Sequence, residues 1–459
     1  MIFLKKFFFF SLIFTNLFCN PSFSNTHFPS SLDPIPKDYK GPVFQISDEF
    51  PQEIQSEKDI KNWEKFNPIS SPQDYAKNIK EYCLEGQIES NWNGFGNKIR
   101  KWYNMPWLHT GNDGREFVWG LTKEPGKIKP FLFPYGDSAQ VWALTLFNPI
   151  AGYTLGEVWK NPSSSKMNNI VFRNGAIIFK LIFTTLTPKE LPYLEGTLKI
   201  SANITSFNQD TFKNPDHPRK IQDLYLVQMD ISVKDSRLKN YVGWAMTSFV
   251  YNKKNPGKKF LEKLRLVGLQ WGNDPLVTIK KYSQGEKIKE SYITKFGEGM
   301  IKETSYNGRL NGLANESKNS CMSCHAFSQY HPILPLHFDL LSELLFSKSK
   351  NRDKFFQNIP SGTPYTKDYF SADYNFQLFF GLSNYFLNHD IEKLNVSHSE
   401  KVRRSNKYEK IIAEIKRSTC LKDVFNEKCK KRINFFMQVH IDPHLFVRLK
   451  NWRGVSVGQ

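Results

Sequence analysis

The chain has 459 residues, of which 40% are hydrophobic and 15% aromatic, and its formal net charge at pH 7 is +19. This length is more than one small domain needs and allows two or three domains, and the many large rings are enough to form well-packed cores. No segment beyond the N-terminus is apolar enough for a transmembrane helix. The closest, residues 169–187, is interrupted by Arg173, Asn174 and Lys180.

The first 24 residues have the layout of a secretory signal peptide. Lys5 and Lys6 form a short basic region, residues 7–18 are almost wholly apolar, and Ser22 and Ser24 provide small residues for a cut after Ser24. The apolar run is too short to span a bilayer, which takes about 20 residues. We therefore predict a protein that is exported to the periplasm or secreted, which argues against nucleic acid as a partner.

Residues 25–75 are predicted to be an extended lead-in, because seven prolines punctuate them and no hydrophobic period lasts. A helix is predicted over Gln73–Cys83, and it should end near Gly86. A second helix is predicted over Asn97–Tyr103, and from there to about Phe296 the pattern changes to that of strands.

Residues 76–300 are predicted to form a β-rich domain. The apolar runs 170–172 and 177–179 flank Asn174-Gly175, a pair that is typical of a β-hairpin turn. Short strands with turns between them favour a sandwich-like or barrel-like domain over a βαβ fold. Alternating or similar apolar patterns predict three further strands, at 225–233, 244–251 and 264–271.

The sequence Cys321-Met322-Ser323-Cys324-His325 is the one stretch that identifies a chemistry. Two thiols three positions apart can each add across a vinyl group of haem, and the histidine after the second thiol can bind the iron from one face. This C-x-x-C-H spacing is the c-type haem attachment signature. Because such haem is attached outside the cytoplasm, the predicted signal peptide supports it. We predict one covalent haem c on Cys321 and Cys324, with His325 as the proximal iron ligand.

Three other interpretations of the motif stay open. A C-x-x-C pair can be a thioredoxin-like redox site, although the run before it is polar and turn-rich where that fold requires a buried strand. A structural zinc site needs four ligands, which His331 and His337 could complete. The two cysteines could also be an accidental pair.

After the motif the hydrophobic period becomes helical. Helices are predicted over residues 335–349 and 372–387, with a loop at 358–364 between them. With its haem motif, helix, loop and final aromatic-rich helix, the stretch 301–390 resembles the monohaem cytochrome c family. The whole layout is similar to exported bacterial cytochrome c family proteins with a large N-terminal region. The resemblance implies a small α-helical haem domain whose default role is electron transfer.

The loop before the last helix departs from that family. Electron-transfer cytochromes of this class place a Met or a His there as the second axial ligand, yet Phe355–Phe370 contains neither. The iron could be six-coordinate in another way, capped from elsewhere in the chain, or open. An open iron suggests a haem-based sensor or a peroxidase, for which His109 and Arg115 are candidate distal groups by their chemistry.

A third class of function is a ligand-binding module with an accessory haem. Aromatic side chains can form a platform for sugars or other flat ligands, or they can pack in the core. Six tryptophans are crowded into the first half of the β-rich region: Trp92, Trp102, Trp107, Trp119, Trp142 and Trp159.

The last segment, residues 391–459, is predicted to be a helical appendage. It carries 16 Lys and Arg against 7 Asp and Glu, a net charge of +9. This basic surface could attract an acidic redox partner, contact anionic membrane lipid, or simply be a solvated face. In an oxidising compartment Cys420 and Cys429 favour a disulfide, which leaves Cys83 as a free thiol or in a different pairing.

The predicted fold class is α+β and multidomain, and the predicted role is electron transfer rather than enzyme catalysis. The five predicted parts are a signal peptide (1–24), a lead-in (25–75), a β-rich sandwich-like domain (76–300), a cytochrome c-like haem domain (301–390) and a basic helical appendage (391–459).

Overall fold

The computed structural model describes residues 49–53, 63–105, 121–128, 139–160, 170–205, 219–315, 319–330, 352–367 and 369–388. Within them, helices accompany a mostly antiparallel sheet, so the fold is α+β, as predicted. Several predicted features lie outside the described residues: the signal peptide, most of the lead-in, the helix at 335–349, and the basic appendage with Cys420 and Cys429.

Eight of the described strands form one sheet of order β1-β2-β3-β5-β6-β7-β8, with β4 also paired to β5. A second stacked sheet, which a sandwich requires, is not found among the described residues. The predicted sandwich-like arrangement is therefore wrong for this part of the chain. The strands are β1 (Thr122–Ile128), β2 (Ala139–Phe147), β3 (Ile177–Thr184), β4 (Lys199–Thr205), β5 (Arg219–Lys234), β6 (Trp244–Tyr251), β7 (Leu264–Gln270) and β8 (Ser291–Ile293).

The 16-residue strand β5 explains why one large layer forms. Its first part pairs with β4, and its second part pairs with both β3 and β6, so three strands are joined edge to edge along it. The predicted alternation in 225–233 is confirmed from Met229 onward, where Met229 and Ile231 are buried and Asp230 and Ser232 are partly exposed. It fails before that point, where Gln228 is buried and the pairing with β3 shifts its register. Strand β6 has the predicted bounds, and β7 ends one residue before the prediction.

The predicted hairpin at Asn174-Gly175 is correct in its turn and its second strand only. Gly175 takes a φ of +84°, and β3 begins two residues later. Residues 170–172 are not a strand, because β3 pairs with β2 on one edge and with β5 on the other, which leaves no edge for them. The Phe172 N–H instead donates to the Asp373 carboxylate at 2.6 Å.

The described residues also contain a two-stranded ribbon of β9 (Gln329–Tyr330) and β10 (Phe370–Ser371). The helix predicted at 73–83 is confirmed, and the final helix begins four residues later than predicted. The helix predicted at 97–103 is wrong, because these residues form bends and a bridge to β2 at Tyr103. No helix in the described part of the chain is both long and apolar enough to cross a membrane. The α-helices are α1 (Pro72–Leu84), α2 (Pro149–Lys160), α3 (Ile279–Ser283), α4 (Lys295–Thr304), α5 (Cys321–His325) and α6 (Phe376–Asn388).

One face of the sheet packs against α1 and the segment that follows it. The Phe179 ring of β3 meets Trp102 edge-on with centroids 4.7 Å apart, and Trp102 in turn meets Tyr82 of α1 at 6.0 Å. Core packing explains the tryptophans that a ligand platform would need to expose. Of the six, Trp92, Trp102, Trp142 and Trp159 are buried, and Trp107 and Trp119 lie outside the described residues.

Residues on both sides of the predicted boundary near residue 300 contribute to one hydrophobic core. Met322, Tyr330 and Leu378 belong to the same buried cluster as Met229 and Ile231 of β5. The division into a β-rich domain and a haem domain stays a prediction. The packing does show that the motif helix α5 lies against the sheet.

Candidate functional site

The motif forms the short helix α5, and Ser320 begins it. The Ser320 hydroxyl oxygen accepts a hydrogen bond from the Ser323 N–H at 3.1 Å, and the Ser323 hydroxyl oxygen accepts one from the Ser320 N–H at 3.2 Å. This reciprocal capping box satisfies two backbone donors at the start of the helix. Serine is a preferred residue at this position because its oxygen reaches the first-turn amides.

A helix of five residues is too short to be stable alone, so tertiary contacts hold it in place. The Met322 N–H donates to the side-chain oxygen of Gln270 on β7 at 3.3 Å. The Cys321 N–H donates to the Leu310 carbonyl at 3.0 Å. The sheet and the segment before the motif thus set the orientation of the motif.

The three residues of the haem signature share one side of α5. Cys321, Cys324 and His325 are partly exposed, whereas Met322 and Ser323 between them are buried. Residues three and four positions apart lie on the same side of a helix, so both thiols and the imidazole lie on its accessible side. This is the arrangement that attachment of one flat group requires.

The His325 ring has a defined hydrogen-bond partner. Its Nδ1 lies 2.7 Å from the carbonyl oxygen of Tyr374. A carbonyl can only accept, so Nδ1 carries the hydrogen and Nε2 of the neutral ring keeps its lone pair. Burial, and after it the charge of Lys180, lowers the pKa of His325 to about 4, although the hydrogen bond with Tyr374 acts in the opposite direction. The imidazole is therefore neutral near pH 7 and can bind a metal through Nε2.

The Tyr374 carbonyl is presented by an unusual turn. Asp373 and Tyr374 take φ angles of +48° and +64°, the left-handed region that residues other than glycine seldom adopt. The Tyr374 hydroxyl donates to the Ile359 carbonyl at 2.6 Å, and the Phe376 ring lies 5.3 Å from the His325 ring. Such backbone conformations cluster at functional sites, where neighbouring structure enforces them.

A row of polar side chains crosses the centre of the sheet. The register places Thr145 opposite Lys180, Lys180 opposite Asp230, and Asp230 opposite Ser248. Residues directly opposite each other point to the same face, which is the face away from α1. The Lys180 ammonium also lies 2.9 Å from the Glu124 carboxylate on β1. We refer to Glu124, Lys180 and Asp230 as the ionic row.

The ionic row lies near the motif. Lys180 interacts electrostatically with Cys324 and with His325, and Asp230 does so with Cys321. These side chains of the sheet are partly exposed, as are the three signature residues. The accessible side of α5 and the polar centre of the sheet therefore belong to the same region of the molecule.

Charges in the ionic row are shifted by their surroundings. Burial alone lowers the pKa of Lys180, but the Glu124 carboxylate outweighs it, so the pKa is raised and the ammonium is retained. Burial raises the pKa of Asp230, against hydrogen bonds and the Lys180 charge. The sequence indicated Lys180 only as an interruption of an apolar run, and no role for Asp230 was predicted. A charged side chain inside an otherwise apolar predicted strand was the available signal.

A dithiol redox site is not favoured by the chemistry of the thiols. Neither Cys321 nor Cys324 forms a disulfide, and burial, with the charge of Asp230 next, raises the pKa of Cys321 well above its usual range. Thioredoxin-like sites work through a lowered thiol pKa. For the zinc alternative, the described residues contain no group of three or more His, Cys, Asp or Glu that could hold a metal ion, and His331 and His337 lie outside them.

The residues present are suited to a c-type haem. Two thiols that form no disulfide lie together with a neutral histidine, whose Nε2 is available, and with the adjacent Phe376 ring. A haem brings four nitrogen ligands of its own. The candidate distal groups His109 and Arg115 lie outside the described residues. Cys83 is free and fully buried in the core.

The chain matches no protein-family model, no curated protein and no solved structure to which it was compared. The resemblance to the monohaem cytochrome c family therefore depends on the motif and on its immediate surroundings.

Proposed function

We propose that the protein is a c-type haem protein that transfers electrons, with one haem bound covalently to Cys321 and Cys324. The observation that supports this most directly is the 2.7 Å contact between His325 Nδ1 and the Tyr374 carbonyl. Because of this contact, the free lone pair of the ring is on Nε2. His325 lies on the accessible side of α5, which also carries the thiols. A carbonyl partner on the second nitrogen is the usual companion of a histidine that binds a metal.

Each residue of the site has one role in haem binding under this proposal. When bound, haem supplies a one-electron couple between ferrous and ferric iron. Cys321 and Cys324 anchor the edge of the porphyrin, and His325 presents Nε2 to one face. The Tyr374 carbonyl orients the imidazole, and the Phe376 ring restricts its rotation.

The proposed location is the periplasm. Haem of the c type is attached outside the cytoplasm, and the predicted signal peptide at residues 1–24 is consistent with export. The basic segment 391–459, with its net charge of +9, would attract an acidic redox partner or an anionic membrane surface. Long-range attraction of this kind raises association rates at low salt.

Covalent attachment is tested by expressing the exported chain together with a cytochrome c maturation system. The double variant Cys321→Ser, Cys324→Ser should lose haem staining on a denaturing gel, and each single variant should keep one thioether bond. Cys83→Ala is the matched control, because it removes a thiol that lies in the core and should leave staining unchanged. Absence of covalent haem in the unaltered chain, or its persistence in the double variant, would reject the proposal.

A second candidate function is a haem-based sensor or peroxidase with an open iron site. It is favoured by the loop Phe355–Phe370, which contains no Met or His to act as a second axial ligand. Addition of carbon monoxide to the ferrous protein separates the two functions. Rapid, complete binding supports the open site, and no spectral change supports a capped electron carrier.

A further inference from the structure

We infer that Asp373 is the positioning residue for the iron ligand: its carboxylate holds the turn that aims the Tyr374 carbonyl at His325, and so sets the reduction potential of the haem. This inference rests on the proposed haem attachment at Cys321 and Cys324. Asp373 lies 48 positions beyond His325, the histidine that it helps to position.

Asp373 is fully buried and its carboxylate collects donors from distant parts of the chain. Oδ2 accepts the Phe172 N–H at 2.6 Å, and Oδ1 accepts the Trp244 Nε1–H at 3.1 Å. Oδ1 also accepts the Gly362 N–H at 3.0 Å and a hydrogen bond from the Ser361 hydroxyl. A buried carboxylate is stable only when its lone pairs are filled in this way.

A cation completes this environment. The Lys234 ammonium of β5 lies 3.7 Å from Oδ2 of Asp373, and the side chains of both residues are largely shielded from solvent. Because Lys234 is the last residue of β5 and Trp244 is the first of β6, the network ties the turn at Asp373 to the ends of two neighbouring strands of the sheet. The turn is thus fixed by the tertiary structure rather than by its own sequence.

The network has a direct effect on the backbone. Asp373 and Tyr374 are successive residues with positive φ, at +48° and +64°. Aspartate tolerates this region, but a tyrosine seldom adopts it, so the conformation needs external support. The Asp373 N–H donates to the Ser371 hydroxyl at 2.9 Å, which tightens the same turn. The result is a carbonyl at 2.7 Å from His325 Nδ1.

The strength of the hydrogen bond between His325 Nδ1 and the Tyr374 carbonyl affects the relative stability of ferric and ferrous iron. A strong acceptor at Nδ1 makes the imidazole more basic, and a more basic ligand favours ferric over ferrous iron. If the hydrogen bonds of the Asp373 carboxylate are weakened, the turn relaxes and the hydrogen bond at His325 Nδ1 lengthens. Ferrous iron then becomes more stable relative to ferric iron. Removal of the Asp373 charge should therefore raise the reduction potential while the thioether bonds stay intact.

Asp373→Asn is the main test, because asparagine keeps the tolerance for positive φ and removes only the charge and one acceptor. At a fixed applied potential, we expect the ferrous-to-ferric ratio to rise about tenfold. Loss of a residue that orients a metal ligand typically changes metal affinity or activity by about 10- to 100-fold, and we expect the lower end of this range. Spectroelectrochemical titration of the purified full chain measures this ratio. Haem staining on a denaturing gel is measured on the same sample.

Asp235→Asn is the matched control. Asp235 is also buried, and its carboxylate accepts from the Tyr75 hydroxyl at 2.9 Å and pairs with Arg237 at 2.6 Å. Among the described residues, the side chains of Asp235, Tyr75 and Arg237 make no hydrogen bond to the motif, to Tyr374 or to Asp373. This variant should therefore lose stability but keep the ferrous-to-ferric ratio. An equal shift in both variants would show a general structural effect and overturn the inference.

Other outcomes are also decisive. If Asp373→Asn does not fold, Trp244→Phe removes a single donor to Oδ1 and should shift the ratio in the same direction by a smaller factor. An unchanged ratio in a folded variant with intact covalent haem rejects the positioning role alone. Absence of covalent haem in the unaltered protein rejects the proposed function instead.

Discussion

The Gln228 side chain accepts a hydrogen bond from the Ala314 N–H at 3.0 Å, which joins β5 to the segment that leads into the haem motif. The amide nitrogen of the same side chain donates to both carboxylate oxygens of Asp230 at 2.8 Å. Gly312 lies so close to this side chain that a Cβ there would overlap it. One buried glutamine thus connects the ionic row, the sheet and the approach to the motif.

Replacement of Gln228 by leucine should lower the free energy of unfolding by about 2–4 kcal/mol, because it leaves the Ala314 N–H unpaired and removes one donor from the buried Asp230 carboxylate. Denaturant titration measures the change. Gln87→Leu is the control: Gln87 is equally buried, but its side-chain amide has no hydrogen-bond partner among the described residues. A similar loss in both variants would show that burial, and not this connection, is responsible.

Arg309 should not tolerate replacement by lysine. Its guanidinium is buried and donates to four carbonyls: those of Asn273 and Asp274 at 2.8 Å, that of Val277 at 3.0 Å and that of Tyr306 at 3.5 Å. An ammonium group lacks this planar fork and leaves carbonyls unpaired, so we expect a loss of about 2–3 kcal/mol. Thermal unfolding provides the measurement. The exposed Arg265→Lys should change stability by less than about 0.5 kcal/mol.

Loss of the cap on the motif helix should be measurable. Ser320→Ala removes the oxygen that accepts from the Ser323 N–H and should cost about 1 kcal/mol in the free energy of unfolding. It should also slow covalent haem attachment, because α5 then begins to fray beside the first thiol. Thr278→Ala removes the comparable cap of α3 and should leave the attachment rate unchanged. Equal rates in both variants would contradict a specific role for Ser320.

The pKa shift of Asp230 predicts a pH dependence of stability. Burial raises its pKa in the folded state, so the folded protein binds this proton more strongly than the unfolded chain does. The contribution is fully present below the unfolded pKa of about 3.9 and is lost as pH rises through the folded pKa. The stability of the unaltered protein relative to Asp230→Asn should therefore fall as pH rises above about 4.

Chemical denaturation at a series of pH values measures this difference for Asp230. The control is Asp223→Asn, which removes the same charge from an exposed position of β5. The same pH slope for both variants would contradict the role of burial at Asp230.

Elements with a hydrophobic pattern that repeats over a few residues could be predicted. The helix α1, the strand β6 and the alternation in the second half of β5 follow from such local periodicity, which depends only on neighbouring residues. The first strand of the predicted hairpin and the sandwich were wrong for a common reason. Both depend on which edges of β3 and β5 are already paired, and that is a property of the whole sheet.

The spacing of three and four positions is enough to place Cys321, Cys324 and His325 on one side of any helix, so this part of the candidate site could be predicted from the sequence. The surroundings of these three residues depend on the tertiary structure. Tyr374 lies 49 positions beyond His325, and Asp230 comes from a strand 91 positions before Cys321. Contacts at such separations depend on how the strands pair and how the segments pack on the sheet, and no local pattern in the chain records them.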